Sequence, residues 1–183
     1  MELEDTIRGR RSIRAYQKRD IADSVIEEIL DLARHAPSSM NGQPWHFIVV
    51  KDEEAKRSLA EIKNRHCPVE KKAFRADFIR GAPVLLVVCV DRGESYDRGI
   101  ENGLLAAAVI LLAAHARGLG SVYMSAHKAD EPTVAEEIRR ALGIPGHLDP
   151  ISLLPLGYPD ERPGPKQMKP LKDMISHDAF GRR

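Results

Sequence analysis

Two short segments near the start of the chain hold the residues best suited to chemistry. Arg10-Arg11-Ser12-Ile13-Arg14-Ala15-Tyr16 crowds three guanidiniums and a hydroxyl into five residues. Arginine's planar fork of donors suits bidentate contact with phosphate oxygens. Ala36-Pro37-Ser38-Ser39-Met40-Asn41-Gly42-Gln43-Pro44-Trp45 carries two hydroxyls, two carboxamides and an indole. Asn41 and Gln43 each donate and accept, which matches the alternating N–H and C=O edge of a flat polar heterocycle. A phosphate clamp beside such a loop points to a phosphorylated ring cofactor. Each segment alone has a plainer reading. The arginines could form a solvated basic turn, or a nucleic-acid arm continued by Arg8, Lys18 and Arg19. Pro37, Ser38, Ser39, Asn41, Gly42 and Pro44 are turn formers that would simply join a helix to a strand. Trp45, at a strand start, reads as core.

The elements that must position these segments follow from periodicity. Residues 2–9 can form a short helix with Leu3 and Ile7 on one face. Ser24, with Glu27 three residues on, resembles a capping box. Val25, Ile26, Ile29, Leu30 and Ala33 follow at helical spacing until Pro37 stops the helix near His35. The two segments thus flank one helix. Trp45 to Val50 reads as a strand and Asp52 to about Asn64 as a helix with Leu59 and Ile62 inward. Pro83 to Val90 is apolar at every position, the pattern of a strand buried on both faces. Asp97 to Arg117 predicts a long helix closed by Gly118; apolar nearly all round, it belongs in a core or an interface. Gly120 to Met124 suggests a short strand or strand-like turn, and Thr133 to Leu142 a helix ended by Gly143 and Pro145. Pro150 to Gly157 reads as a strand in which Pro155 argues for an edge or an irregular end. Residues 65–81 are charged and mixed, and carry no clear assignment. Strands and helices do not alternate strictly, so the expectation is α+β, with a mixed, mostly antiparallel central sheet flanked by helices.

Length and composition bound the rest. The 183 residues, with no internal repeat, predict a single domain over 1–183. The segment 158–183 carries Pro159, Pro163, Pro165 and Pro170, and little apolar periodicity. Such an arm cannot build its own core, and a partner subunit is the natural surface for it. A formal net charge of +1 excludes a broadly basic surface, and with no second basic cluster it weighs against nucleic acid as a partner. Only two cysteines, Cys67 and Cys89, point to a reducing compartment. The acidic Glu2, Glu4 and Asp5 argue against a leader peptide, and the apolar run 104–114 is short for a membrane span of about 20 residues. The expected location is cytoplasmic, with no membrane partner. Gly118 and Gly120 lack the third glycine of a dinucleotide fingerprint, and there is no Walker loop. Seven scattered histidines form no metal-ligand pair at helical spacing. His66-Cys67, without a partner motif, reads as a surface turn.

Taken together, the Arg-Arg-Ser-x-Arg-x-aromatic segment, the helix and the Ala-Pro-Ser-Ser-x-Asn-x-Gln-Pro-Trp loop resemble the N-terminal signature of the FMN-dependent nitroreductase family. Asp97-Arg-Gly-Ile-Glu-Asn-Gly-Leu-Leu105 resembles its central helix, Gly118 to Tyr123 the glycine turn that follows, and Leu156-Gly157-Tyr158-Pro159 its last strand and exit. The resemblance spans nearly the whole chain and is weakest over 65–81. It implies a nitroreductase-like homodimer with FMN at the interface and an extended C-terminal arm. Arg10, Arg11, Ser12 and Arg14 match positions that hold the phosphate and ribityl chain. Pro37, Ser38, Ser39 and Met40 match the loop that reaches the flavin of the neighbouring subunit, with Asn41 and Gln43 in the same loop. Met124, Ser125 and Ala126 match a turn against the flavin ring, where a backbone N–H faces N5. Lys166 matches a basic residue of the arm that also reaches the phosphate.

The implied chemistry is NAD(P)H-dependent reduction of a nitroaromatic, quinone or similar acceptor, by alternating hydride transfers through flavin N5. The flavin performs it, so no indispensable catalytic side chain and no metal are expected. A flavin-fragmenting, dehalogenating or azoline-oxidising branch of the same fold, and a non-catalytic FMN-binding module, are the alternatives; 65–81 is the expected lid. In one place the chain departs from the family. Two residues after the arm's lysine, where the family usually has arginine, stands Met168. Lys169, one residue further, falls on the opposite side of an extended chain, which predicts a weaker hold on phosphate through the arm.

Overall fold

The computed structural model describes residues 2–67, 75–127 and 133–182. In chain order the regular elements are α1 (Leu3–Gly9), α2 (Asp23–Ala33), β1 (Trp45–Val50), α3 (Glu53–Arg65), β2 (Val84–Asp91), α4 (Gly99–Ala116), β3 (Gly120–Ser121), β4 (Met124–Ser125), α5 (Thr133–Leu142) and β5 (Leu148–Gly157). The sheet runs β1-β2-β5-β3, with β4 also on β5. Every strand pair is antiparallel, and the parallel component is the isolated bridge between Ser12 and Ser121.

The unbroken apolar run of β2 is explained by layers on both faces. Val84, Leu86 and Val88 pack with Ile26 and Ile29 of α2 and Ala106, Ala107 and Ile110 of α4. The alternate residues Leu85, Val87 and Cys89 pack with Leu59 and Ile62 of α3 and Val134 and Ile138 of α5. Burial pushes the Cys89 thiol up to about 12. Helix α4, 18 residues of mean hydropathy 1.6, is long and apolar enough to cross a membrane, beyond the 104–114 run marked in the sequence. In this fold it lies against β2, β5 and α2. It ends as Gly118 predicts: Gly118 has φ 75°, and the Leu119 and Gly118 N–H groups donate to the Ala114 and His115 carbonyls.

Two local expectations are corrected. Helix α2 begins at Asp23, with Ala22 as its cap and no side-chain cap bond, so Ser24 lies inside the first turn. Pro155 sits in an interior strand, opposite Leu85. Its effect is seen on the other flank of β5. Gly120 and Ser121 pair with Gly157 and Leu156, Met124 and Ser125 with Leu153 and Ser152, all in one continuous register. That register places Val122 opposite Pro155, where the proline has no N–H to donate, and there one strand divides into β3 and β4.

Candidate functional site

The N-terminal motif lies along the free edge of the sheet. The Ile13 N–H donates to Ser121 O at 3.0 Å and the Gln17 N–H to Tyr158 O at 2.9 Å. Glycine makes this close approach possible, since a Cβ on Gly120 would stand 2.7 Å from Ile13 and one on Gly157 2.7 Å from Tyr16. Tyr16 is buried and donates its hydroxyl to Ile13 O at 2.6 Å, and burial raises its pKa well above the ordinary phenol value.

Arg10, Arg11 and Lys166 converge at the end of α1. Arg11 donates Nη1 to the carbonyls of Arg8 at 2.7 Å, Gly9 at 3.0 Å and Arg10 at 3.0 Å, and Nε to Gly164 O of the arm at 3.2 Å. It therefore closes α1 and ties down the arm at once. Lys166 Nζ approaches Ile7 O at 3.4 Å. The ring of His115, from α4, lies under Gly9: a Cβ there would be 2.8 Å from His115 Nε2. Burial and then the two arginines lower the Lys166 pKa, while burial and then Arg10, Arg11 and Lys166 lower that of His115. Among the described residues no carboxylate pairs with Arg10, Arg11 or Lys166. Cations so gathered leave a local positive field that would favour an anion.

One step along the segment, Arg14 lines a cleft of about 280 Å³ with Lys63, His66, Cys67, Tyr123, Met124 and Ser125 among its walls. The strand register decides which amides face it. Ala126 N–H donates to Ile151 O at 2.9 Å, so hydrogen-bonded pairs fall at Ala126 and Met124, and the intervening Ser125 N–H points away from β5, to the free edge. Ala126 is fully buried behind the strand with its amide already occupied; Ser125 is the residue of the three whose amide is available. Lys63 Nζ donates to Ser125 O at 2.6 Å. His66, which reads in the sequence as part of a surface turn, bonds Glu137 at 3.0 Å, and Arg65 pairs with the same carboxylate; Arg65 and then His66 hold the Glu137 pKa low. The arm closes over the segment where Glu161 accepts from the Arg14 and Ala15 amides. Ser12 is half-buried beside Ser121.

Residues 37–43 lie elsewhere. Met40, Asn41 and Gln43 all adopt left-handed backbone, with φ 51°, 56° and 49°, a conformation that costs non-glycine residues and persists only where surroundings impose it. The loop's anchor on the body of the fold is Asn102 of α4, 1% exposed. Its Oδ1 accepts from Ser39 N–H at 3.0 Å, its Nδ2 donates to Ser95 O at 3.1 Å, and its carbonyl accepts from Trp45 Nε1 at 2.9 Å. Within the loop, Ser38 Oγ accepts from the Gln43 N–H and Gln43 Nε2 reaches Asn41 O; Met40 is 80% exposed. Gly42 fits against the 94–96 turn so closely that a Cβ would stand 2.1 Å from Glu94 O. Gly42→Ala is expected to destabilise the fold by about 2–3 kcal/mol, because a backbone oxygen cannot yield as a side chain does. Urea denaturation checks this, with Gly81→Ala, where a Cβ meets nothing within 4 Å, as the control.

The loop hangs from Asn102 near the start of α4 and the clamp from His115 near its end, about 20 Å apart at the helical rise of about 1.5 Å per residue. One chain does not bring them together.

The sequence pattern of the Nitroreductase family matches residues 7–158. The chain belongs to this family. A candidate NADH dehydrogenase/NAD(P)H nitroreductase of Methanothermobacter thermautotrophicus is 36% identical over 170 residues, 92% of this chain and 83% of that protein. An iodotyrosine deiodinase of Thermotoga neapolitana is 30% identical over 188 residues, 94% and 95% of the two. An FMN-dependent nitroreductase of Clostridium difficile superposes with a TM-score of 0.85 at 27% identity, over 97% of this chain and all of that one. On this nitroreductase-family fold, Lys63, Asn102 and His115 are the polar residues that sequence reasoning passed over. Asn102 was visible as the lone carboxamide in an apolar helix; His115 gave no sign.

Proposed function

We propose that this chain is an FMN-dependent oxidoreductase that uses NAD(P)H to reduce small oxidised acceptors such as nitroaromatics and quinones, and that it works as a homodimer. The observation that carries the reading is the cationic cluster without a carboxylate, Arg10, Arg11 and Lys166, joined by Ser12 and Arg14 to a cleft with an outward amide. The donor set fits the cofactor: cations for a phosphate dianion at one end, and at the other an N–H with Arg14 and Lys63 beside a flat cleft. Bound FMN would supply the redox chemistry, taking a hydride from NAD(P)H and passing the electrons to the acceptor in alternating half-reactions. The protein's part is to hold the phosphate with Arg10, Arg11 and Lys166 and to present Ser125 N–H to the ring. Arg14 and Lys63 favour negative charge developing in the cleft, an electrostatic effect that needs no catalytic acid.

The dimer follows from the separation of loop and clamp. A second copy would bring its 37–43 loop to this chain's cleft. Apolar side chains left half-open on α4 (Ile100, Leu104 and Leu105) and bare on the arm (Met168, Leu171 and Phe180) provide surface for that contact. Only two cysteines in 183 residues suit a reducing, cytoplasmic setting.

The decisive experiment is a visible spectrum of the purified protein with chromatography of what heat releases, followed by NAD(P)H oxidation with a nitroaromatic or quinone. Yellow protein releasing FMN and consuming NAD(P)H is the expected result. Colourless protein that takes up no added FMN would sink the reading. The likeness to a deiodinase favours a second reading, reductive removal of halide from a halogenated phenol, with Arg14 and Lys63 facing the phenolate. Halide release by the chemically reduced protein distinguishes the two.

A further inference from the structure

We propose that His115 is a fourth phosphate-binding group of the clamp, neutral in the free protein and protonated when a phosphomonoester dianion is held there. This rests on the FMN reading above. The imidazole lies against the Gly9 backbone at the end of α1, beside the cations of the clamp. His115 packs under Gly9, whose carbonyl accepts from Arg11, and Arg10, Arg11 and Lys166 surround it. From α4 itself the neighbouring charge is Arg117, already paired with Glu28 at 3.0 Å. From α1, Glu4 lines the adjoining groove with Arg8, Arg11 and Lys166, with no ion pair to them among the described residues. The free protein thus surrounds a half-buried histidine with cations, and these, after burial itself, keep it unprotonated. A bound dianion reverses the sign of that field. The imidazole then gains a proton from solvent and becomes a charged donor to phosphate.

The sign of the linkage is fixed by this exchange. The His115 pKa is low in the free protein and rises on binding, so the complex holds more protons and affinity falls as pH rises through the value of the loaded protein. Phosphate's own second ionisation, near 6, opposes this only in more acid solution, so measurements belong near and above pH 7.

Calorimetry of the flavin-free protein with FMN, in buffers of different ionisation enthalpy, is expected to show proton uptake, whereas riboflavin, which lacks the phosphate, should show none. Inorganic phosphate should reproduce the uptake at lower affinity if the clamp recognises the dianion itself. His115→Gln should abolish the uptake and weaken FMN about tenfold, the loss of one charge-assisted bond less the work of protonation, with riboflavin unaffected. NMR titration of the His115 ring in the wild-type protein gives the same answer without a variant: its pKa should rise when FMN is loaded. A pKa that does not rise, or a His115→Gln protein with wild-type FMN affinity and uptake, overturns the inference and leaves the FMN reading standing. Wild-type protein with no affinity for FMN overturns both.

Discussion

Arg10→Ala combined with Arg14→Ala is expected to weaken FMN binding by a factor on the order of a thousand while leaving the protein folded. Charge-assisted bonds are worth about 1.5–3 kcal/mol each. Losing two therefore costs about 3–6 kcal/mol, where each tenfold in affinity is about 1.4 kcal/mol. The fold should survive because neither guanidinium is in use. Among the described residues, no hydrogen bond or ion pair within the chain involves the side chain of Arg10 or Arg14. Arg11 is a poorer test, because its four bonds to backbone carbonyls close α1 and hold the arm. Arg19→Ala is the control for bare charge. It belongs to the same basic run, but its guanidinium stacks on Tyr158 at 3.8 Å, away from the clamp. Quenching of FMN fluorescence gives the affinities and a urea midpoint gives the fold. Retained stoichiometric flavin in the double variant would remove the clamp from the argument; an equal loss in Arg19→Ala would make it a matter of net charge.

The arginine run stands out in the sequence by residue type and spacing, and the structure gathers Arg10 and Arg11 beside Lys166. The same holds for β2, whose apolar residues at every position demand cover on both faces, and for α4, closed by a glycine that adopts the predicted left-handed turn. What sequence could not provide was direction. Met124, Ser125 and Ala126 look equivalent as letters. Only the pairing with β5 shows that Ala126 gives its amide to Ile151 while Ser125 points its own outward. Pro155 was misjudged for a related reason. A proline is excluded from an interior strand only if the one flank that its N–H would face needs that donor, and here that flank breaks into β3 and β4. Asn102 and His115 were passed over because each belongs to α4 by sequence and to a distant loop or helix by contact. The expected lid is partly outside the described residues, since 68–74 are not among them.

Asn102→Ala carries the second large effect, and it reaches the site from behind. Truncation leaves the buried Ser95 carbonyl and the half-buried Ser39 N–H without their partner. Unsatisfied buried groups cost about 1–3 kcal/mol each, so a loss of about 3 kcal/mol is expected, or roughly 6–12 °C in Tm for a chain of this size. Asn102→Asp should not recover the loss: it keeps the acceptor for Ser39 but sets a second carboxylate oxygen against the Ser95 carbonyl in a buried position. The functional consequence is larger than the stability loss, because the left-handed backbone of Met40, Asn41 and Gln43 has no other side chain from α4 to fix it among the described contacts. If the loop completes the neighbouring subunit's site, two dead proteins should rescue each other. A dimer of one Arg10→Ala/Arg14→Ala chain and one Asn102→Ala chain would hold both lesions in one site and neither in the other. Random remixing should then restore roughly a quarter of wild-type turnover, since half the dimers are hybrid and half their sites are intact. If clamp and loop instead served the same chain's site, every site in the hybrid would carry a lesion and remixing would restore nothing. Turnover after co-refolding, compared with each variant alone, therefore decides whether the separation of about 20 Å along α4 is bridged by a second copy.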